Sequence, residues 1–262
     1  MTGQPIRFDD GAAYERGMGP WSRLVANVFI EWLEPPRGLR WIDVGCGNGV
    51  FTELLVERCA PAELHGIDPS EGQLAFARTR PAARVAQFRA GDAVALPFPD
   101  DRFDAAVMAL VIFFLREPER GVAEMARVVR SGGTVATYAW DYIGNGAPTS
   151  PIVSEIRAMG HTPATPPSLS ASRIDVLRNL WTNAGIEAVE TREVKVTRTF
   201  ADFDALWASS LAHPVIAAIV ARMNTAEIEQ LKERVRARLP GDGAGRITYC
   251  ARANAIKGRV GK

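Results

Sequence analysis

The sequence predicts an α/β protein built on a doubly wound, mostly parallel sheet, and three observations carry that prediction. Short β-like runs alternate with helical ones through the first 140 residues. A run of eleven apolar residues, Ala105 to Leu115, begins as a strand suited to a place buried on both faces. A glycine-dense turn, Gly45 to Gly49, joins a predicted strand to a predicted helix.

Each element has a local reason. Leu24, Val25, Val28, Phe29, Trp32 and Leu33 recur at helical spacing, and Pro35-Pro36 ends that helix. Leu39 to Val44 is strand one, and a helix starts near Val50 after the glycine loop. Glu63 to Ile67 is strand two, followed by a helix from Ser70 to about Arg78. Arg84 to Phe88 is strand three, and Asp104 to Leu110 is strand four. An amphipathic helix over Pro118 to Val129 is stopped by Ser131-Gly132-Gly133, and Thr134 to Trp140 is strand five.

The rhythm then breaks. Gly144, Gly146, Pro148, Pro151, Pro163, Pro166 and Pro167 leave room for at most one short helix. Such a stretch is expected to make few buried contacts. Regular structure resumes with a helix at Ser172 to Ala184 and a strand from Ile186 to Thr197. Helical segments follow over Ala201 to Met223, interrupted at Pro214, and over Thr225 to Leu239, where Asn224 and Glu227 form a capping pair. Arg246 to Lys257 is the last strand. The expected organisation is one domain over residues 1–262, with an N-terminal cap and first helix in 1–36 and substrate-lid elements in 142–171 and 201–240.

With 47% apolar and 23% charged residues, the chain can bury one generous core. A net charge of +1 supplies no field to hold a nucleic acid or an anionic membrane, and neither partner is expected. Met1 to Gly11 is polar, without the apolar core of a signal peptide. The eleven-residue apolar run is too short to span a bilayer. Cys46, Cys59 and Cys250 have neither CxxC nor metal-ligand spacing, so no metal site is expected. Their wide separation suits a reducing compartment, and the cytoplasm is the expected address.

The chemistry concentrates in Asp43-Val44-Gly45-Cys46-Gly47-Asn48-Gly49. Glycines let the backbone turn sharply and let a ligand lie against it without a β-carbon in the way. The spacing is GxGxG rather than the dinucleotide GxGxxG, and no Lys-Ser/Thr follows to make a phosphate loop. Asp68 stands 25 positions after Asp43, at the end of strand two, where a carboxylate can accept both hydroxyls of a ribose. Asp92, in Gly91-Asp92-Ala93 after strand three, can accept from an exocyclic amine such as adenine N6. Read singly, Asp68 is also a plain helix cap and Asp92 a plain turn residue. Three polar features at successive strand ends, on the edge where open α/β sheets bind ligands, favour an adenosine site.

These residues resemble a known family. Asp43 to Gly49, Gly66-Ile67-Asp68-Pro69-Ser70, Gly91-Asp92-Ala93 with Leu96-Pro97-Phe98, and Phe103-Asp104 are similar to the ordered motifs of class I S-adenosylmethionine-dependent methyltransferases. Arg130-Ser131-Gly132-Gly133 resembles the turn before strand five, with Ser where the family more often has Pro. The match covers roughly Tyr14 to Trp140. It implies a Rossmann-like sheet of seven strands, the last antiparallel, with lid insertions after strands five and six. It implies S-adenosylmethionine as cofactor, with the glycine loop facing the methionine half, Asp68 on the ribose and Asp92 on the adenine. The implied cofactor site comprises Asp43, Gly45, Cys46, Gly47, Asn48, Gly49, Asp68, Pro69, Gly91, Asp92, Ala93, Ala109 and Leu110, with Tyr14 and Trp21 closing over it.

The ends of the chain resemble a narrower bacterial subgroup related to the quinone-type C-methyltransferases. The residues concerned are Tyr14, Met18-Gly19 and Trp21-Ser22, then Trp140-Asp141-Tyr142, then Phe200 to Asp204 through Trp207. Where many family members carry His-His-Leu, this chain has Phe113-Phe114-Leu115. No Asn/Asp-Pro-Pro-Tyr/Phe occurs at Ala109 to Ile112, which argues against methylation of a nucleobase or glutamine amine.

The expected reaction is methyl transfer to a small, partly apolar acceptor. It requires alignment and exclusion of water, and a base only for a weakly acidic acceptor. Phe113, Trp140, Tyr142, His161 and His213 are candidates for the acceptor side, and no catalytic base is assigned. Each also reads as ordinary packing or surface. His65, toward the start of strand two and away from the ligand edge, reads as structural. Two other classes stay open: a catalytically idle S-adenosylmethionine binder, and a nicotinamide oxidoreductase that GxGxG disfavours.

Overall fold

The computed structural model describes residues 10–261; residues 1–9, most of the polar N-terminal stretch, and residue 262 lie outside it. Seven strands form one sheet: β1 (Arg40–Val44), β2 (Glu63–Asp68), β3 (Ala86–Ala90), β4 (Phe103–Ala109), β5 (Val129–Trp140), β6 (Ile186–Phe200) and β7 (Ile247–Val260). Their order is β3-β2-β1-β4-β5-β7-β6. The first five run parallel, and β7 is antiparallel to both β5 and β6. The expected doubly wound sheet with an antiparallel last strand is what the chain forms.

Ten α-helices cover the described sheet: α1 (Gly11–Gly17), α2 (Gly19–Leu33), α3 (Val50–Cys59), α4 (Glu71–Ala77), α5 (Pro118–Val128), α6 (Ser150–Ala158), α7 (Ile174–Asn183), α8 (Phe203–Leu211), α9 (Pro214–Val220) and α10 (Thr225–Arg238). β4 lies between β1 and β5, and Ala105 to Met108 are wholly buried, as a central parallel strand requires. The aromatic core beside it joins α2, α3 and β5 through Phe29, Phe51 and Tyr138, with Phe29 and Tyr138 centred 4.6 Å apart. The box formed by Asn224 and Glu227 caps α10 as the sequence indicates.

Three element expectations are corrected. The N-terminal segment is two helices, because Asp10 caps α1 by accepting from Ala13 N at 2.8 Å and Pro20 starts α2. Strand three begins two residues late, at Ala86, because Pro81 opens a 3₁₀ turn through Arg84. Ser131-Gly132-Gly133 does not stop a helix ahead of strand five. It is a bulge within β5, since Phe103 pairs with Val129 and Ala105 with Thr134, leaving the residues between unmatched.

The sheet edge opposite the glycine loop is pinned by charge. Asp104 accepts from Arg40 N at 2.8 Å and from the guanidinium groups of Arg40 and Arg130, which hold its carboxyl well below the usual range. Asp104 is therefore a structural clamp at the start of β4. His65 is likewise structural, stacked edge-on against Phe98 and Phe103 and bonded to Glu63. Among the described residues no helix is long and apolar enough to cross a membrane on its own.

Candidate active site

The C-terminal ends of β3, β2, β1 and β4 lie side by side, so the predicted cofactor residues share one edge. The glycine loop is stitched to β2 by Gly45 N and Cys46 N, which donate to Ile67 O at 2.7 and 3.0 Å. Gly45, Gly47 and Gly49 take φ of +74°, +54° and +81°, a region that disfavours other residues. Their surroundings differ. A β-carbon on Gly45 would sit 2.4 Å from Val111, and one on Gly49 3.1 Å from Ala77. One on Gly47 would meet nothing nearer than Gln73 Oε1 at 3.9 Å. Two glycines thus serve packing, and Gly47 alone of the three opens onto free space.

Asp68 is buried at the end of β2, where its Oδ2 accepts from Gly47 N at 2.9 Å and its Oδ1 from Ser70 N at 2.8 Å. A carboxylate accommodates about four acceptor contacts, so holding two amides is compatible with receiving ribose hydroxyls. Asp43 is fully buried below the loop; its Oδ2 accepts from Thr52 Oγ1 at 2.6 Å, and its Oδ1 has no partner. Burial pushes this carboxyl up to about 7, against the hydrogen bond from Thr52. Asp92 is exposed beyond β3, with Oδ1 accepting from Val94 N at 3.1 Å in a local turn, while Ala93 beside it is buried. Pro69 leads into α4, which Ser70 caps.

A polar latch that the sequence reading missed holds the loop from the N-terminal side. Asn48 Nδ2 donates to Glu15 Oε2 at 2.9 Å and to Gly11 O at 3.3 Å, joining the loop to α1. Arg80 donates to Asn48 O at 2.6 Å and pairs with Glu15 and Glu53. Only Asn48 carried a sequence signal, as part of the loop. Glu15 and Arg80 are 65 positions apart and share no pattern.

Leu110, an expected cofactor residue just after β4, has a backbone conformation that the sequence did not signal. Its φ of +62° is left-handed, a conformation that costs a non-glycine residue about 1–2 kcal/mol and recurs at functional sites. Leu110, Tyr14, Phe113, Phe114, Trp140, Tyr142 and His213 line a small recess at the strand ends. Tyr14 bonds Ser22 at 2.9 Å, and its hydroxyl is pushed up chiefly by burial, with Glu15 and Asp68 adding to the effect. Phe113 meets Tyr142 edge-on at 4.9 Å.

A larger cavity of about 240 Å³ adjoins this recess and shares Phe114, Tyr142 and His213 with it. It is closed by the face of α6 and by the chain from Pro163 to Leu169. His213 is buried at the start of α9, and burial lowers its imidazole to about 4, so it is neutral near pH 7. Thr149, Ser150 and Arg157 also line the cavity, though no motif singled them out.

Two candidates are not brought to these spaces. Trp21 is 2% exposed and packs away from the recess, 5.0 Å from Tyr249 and 6.4 Å from Phe200. The amphipathic turn of α2 directs it into the core against β6 and β7. His161 follows the end of α6, where its amide bonds Ile156 O at 3.2 Å, and it lines neither space. Among the described residues, no three His, Cys, Asp or Glu side chains are grouped to hold a metal ion.

Residues 42–137 match the family described as a methyltransferase domain. The chain is 42% identical over 119 residues to the chloroplast 2-methyl-6-phytyl-1,4-hydroquinone methyltransferase 2 of Oryza sativa subsp. japonica, a match spanning 44% of this chain and 33% of that protein. Its fold is similar to that of Haemonchus contortus phosphoethanolamine N-methyltransferase 2 in complex with S-adenosyl-L-methionine, with a TM-score of 0.55 at 14% identity over 90% of this chain and 52% of the other. It is also similar to that of the [4+2]-cyclase SpnF, with a TM-score of 0.56 at 19% identity over 100% of this chain and 88% of the other. The ordered motifs and the 3-2-1-4-5-7-6 sheet agree with the match of residues 42–137 to a methyltransferase domain.

Proposed function

We propose that this chain transfers a methyl group from S-adenosylmethionine to a small-molecule acceptor seated in the larger cavity. The observation that carries this reading is the shared neck: Phe114, Tyr142 and His213 border both the strand-end recess and the cavity. An acceptor in the cavity would thus face whatever occupies the strand ends.

Three features support the cofactor: the open side of Gly47 leaves room for the methionine half, the Asp68 carboxylate can accept from the ribose, and that of Asp92 can accept from the adenine amine. The unpartnered oxygen of Asp43 makes a buried carboxylate beneath the loop suited to the methionine ammonium. Tyr14 closes the recess from α1. Bound S-adenosylmethionine supplies an activated methyl group on a positively charged sulfonium. The residues of this chain then have to orient the acceptor and keep water out. Phe113, Trp140 and Tyr142 form an aromatic wall of the strand-end recess. His213, kept neutral by burial, can hydrogen-bond an acceptor hydroxyl and orient it toward the methyl group.

The test is calorimetric titration with S-adenosylhomocysteine, followed by incubation with S-adenosylmethionine and a panel of phenols, hydroquinones, carboxylic acids and amines. Stoichiometric binding and acceptor-dependent release of S-adenosylhomocysteine are expected. Failure to bind would end the reading.

A second reading has its own support. It is that of an S-adenosylmethionine binder that transfers no methyl group: Phe113-Phe114 offer no polar side chain after β4, and the fold is similar to that of a [4+2]-cyclase. Binding without release of S-adenosylhomocysteine by any acceptor would favour it. Three free thiols, two of them buried, support a reducing cytoplasmic setting.

A further inference from the structure

The larger cavity has a charge pattern that narrows its ligand. None of its lining residues is an Asp or Glu. Its one permanently charged lining group is Arg157, which is exposed at the rim and has no ion pair or side-chain hydrogen bond among the described residues. The nearest carboxylate along the helix, Glu155, is committed elsewhere, paired with Arg234 and Arg238 of α10 at 2.8 and 2.9 Å.

Helix geometry turns this into a ruler. Ser150, Val153 and Arg157 all line the cavity from α6, at positions i, i+3 and i+7 of one face. With a rise of about 1.5 Å per residue, the hydroxyl and the guanidinium ends of that face are about 10 Å apart. Thr149 and Ser150 are each 8% exposed, and their hydroxyls make no hydrogen bond among the described residues. One end of the wall thus offers buried hydroxyls, the middle is apolar, and the far end offers a planar cation.

We propose that the cavity takes an acceptor with an apolar body and a negatively charged group, carboxylate or phosphate, which Arg157 holds while Thr149 and Ser150 fix the body. The assignment rests on the methyl-transfer reading for the word acceptor, but the cavity's preference for an anion stands on its lining. A cationic amine is disfavoured, because the cavity offers it a cation and no carboxylate. Arg157 is a specificity-determining residue, since guanidinium matches carboxylate and phosphate with paired hydrogen bonds.

The experiment compares two dyes that differ by one charge: 8-anilinonaphthalene-1-sulfonate and its neutral parent N-phenyl-1-naphthylamine. Each is titrated by fluorescence into the wild type, Arg157→Gln and Arg157→Lys, with and without saturating S-adenosylhomocysteine. The anionic dye is expected to bind the wild type about tenfold tighter than the neutral one, the size of one charge-assisted contact. Arg157→Gln should remove that preference and Arg157→Lys should retain part of it. Phenylacetate and phenyl phosphate are then added as competitors, with phenylacetamide as the neutral control. Displacement by phenylacetate assigns a carboxylate, and displacement by phenyl phosphate assigns a phosphate. Equal affinity for the two dyes in the wild type overturns the proposal, as does a preference that survives in Arg157→Gln or equal displacement by the amide. S-adenosylhomocysteine affinity, measured on the same samples, is expected to be unchanged by either variant. Its absence in the wild type would count against methyl transfer and leave the dye comparison to be judged on its own.

Discussion

The backbone amide of Gly47 donates to Oδ2 of Asp68 at 2.9 Å, which makes the tip of the glycine loop and the end of β2 a single unit. One carboxylate thereby positions the loop and, on the proposed reading, also receives the ribose. Asp68→Ala is expected to weaken S-adenosylmethionine binding by about 2–3 kcal/mol, through lost charge-assisted hydrogen bonds and a loosened loop. Calorimetric titration measures it. An unchanged dissociation constant in a folded variant would remove Asp68 from the site.

Gly45 and Gly47 should respond differently to the same substitution. Gly47→Val places its side chain in open space, at a strain cost of about 1–2 kcal/mol for the left-handed φ, so the fold survives and cofactor binding is lost. Gly45→Val drives its β-carbon into Val111, 2.4 Å away, and should unfold the loop or the chain. Circular dichroism melts with S-adenosylhomocysteine titration separate the two. Retained binding in Gly47→Val would mean that the space above it is not the cofactor's.

Asp43 predicts a pH dependence. Its folded value, about 7, lies above the ordinary 3.8, so between those values the free folded protein holds a proton that the unfolded chain has released. Its contribution to stability therefore falls as pH rises from about 4 to 7 and is level above that. A cofactor ammonium beside it favours the charged form, so binding should expel a proton below pH 7 and weaken as pH drops from about 8 to 6. Calorimetry in two buffers of different ionisation heat counts the proton. Asp43→Asn should flatten the profile, and zero proton release by the wild type at pH 6.5 would exclude the pairing.

The stretch from Tyr142 to Ala171 is held more firmly than its glycines and prolines suggest. Arg252 grips Asp141 Oδ2 at 2.8 and 2.6 Å, Arg252 N donates to Gly146 O at 2.7 Å, and Tyr249 bonds Pro148 O at 3.0 Å. Glu155 ties α6 to α10. Slow amide exchange is therefore expected across α6 even in the free protein. Fast exchange should be confined to about 160–168, between α6 and the following 3₁₀ turn, and should slow when the cavity is filled. Equal exchange in that loop, free and filled, would show a fixed wall.

The sequence by itself determined the sheet and its ligand edge. Hydrophobic runs of period 2 and 3.6, proline and glycine stops, and the spacing of Asp43, Gly45, Gly47, Gly49, Asp68 and Asp92 are local properties, and local physics fixes strands, helices and turns. It misjudged Ser131-Gly132-Gly133, because a bulge is defined by the partner strand, here the pairing of β4 with β5. Only the tertiary structure decided where individual side chains go. Trp21 enters the core against Tyr249 and Phe200, His161 stays off the cavity, and Glu15 meets Arg80 across 65 positions. The same holds for Gly45 against Val111 and for the placing of Ser150, Val153 and Arg157 along one cavity wall. Such contacts join residues distant in sequence, and they are set by how whole helices pack on the sheet. No short-range pattern encodes them, whereas the glycine loop, whose three glycines take left-handed φ within five residues, could be read directly from its spacing.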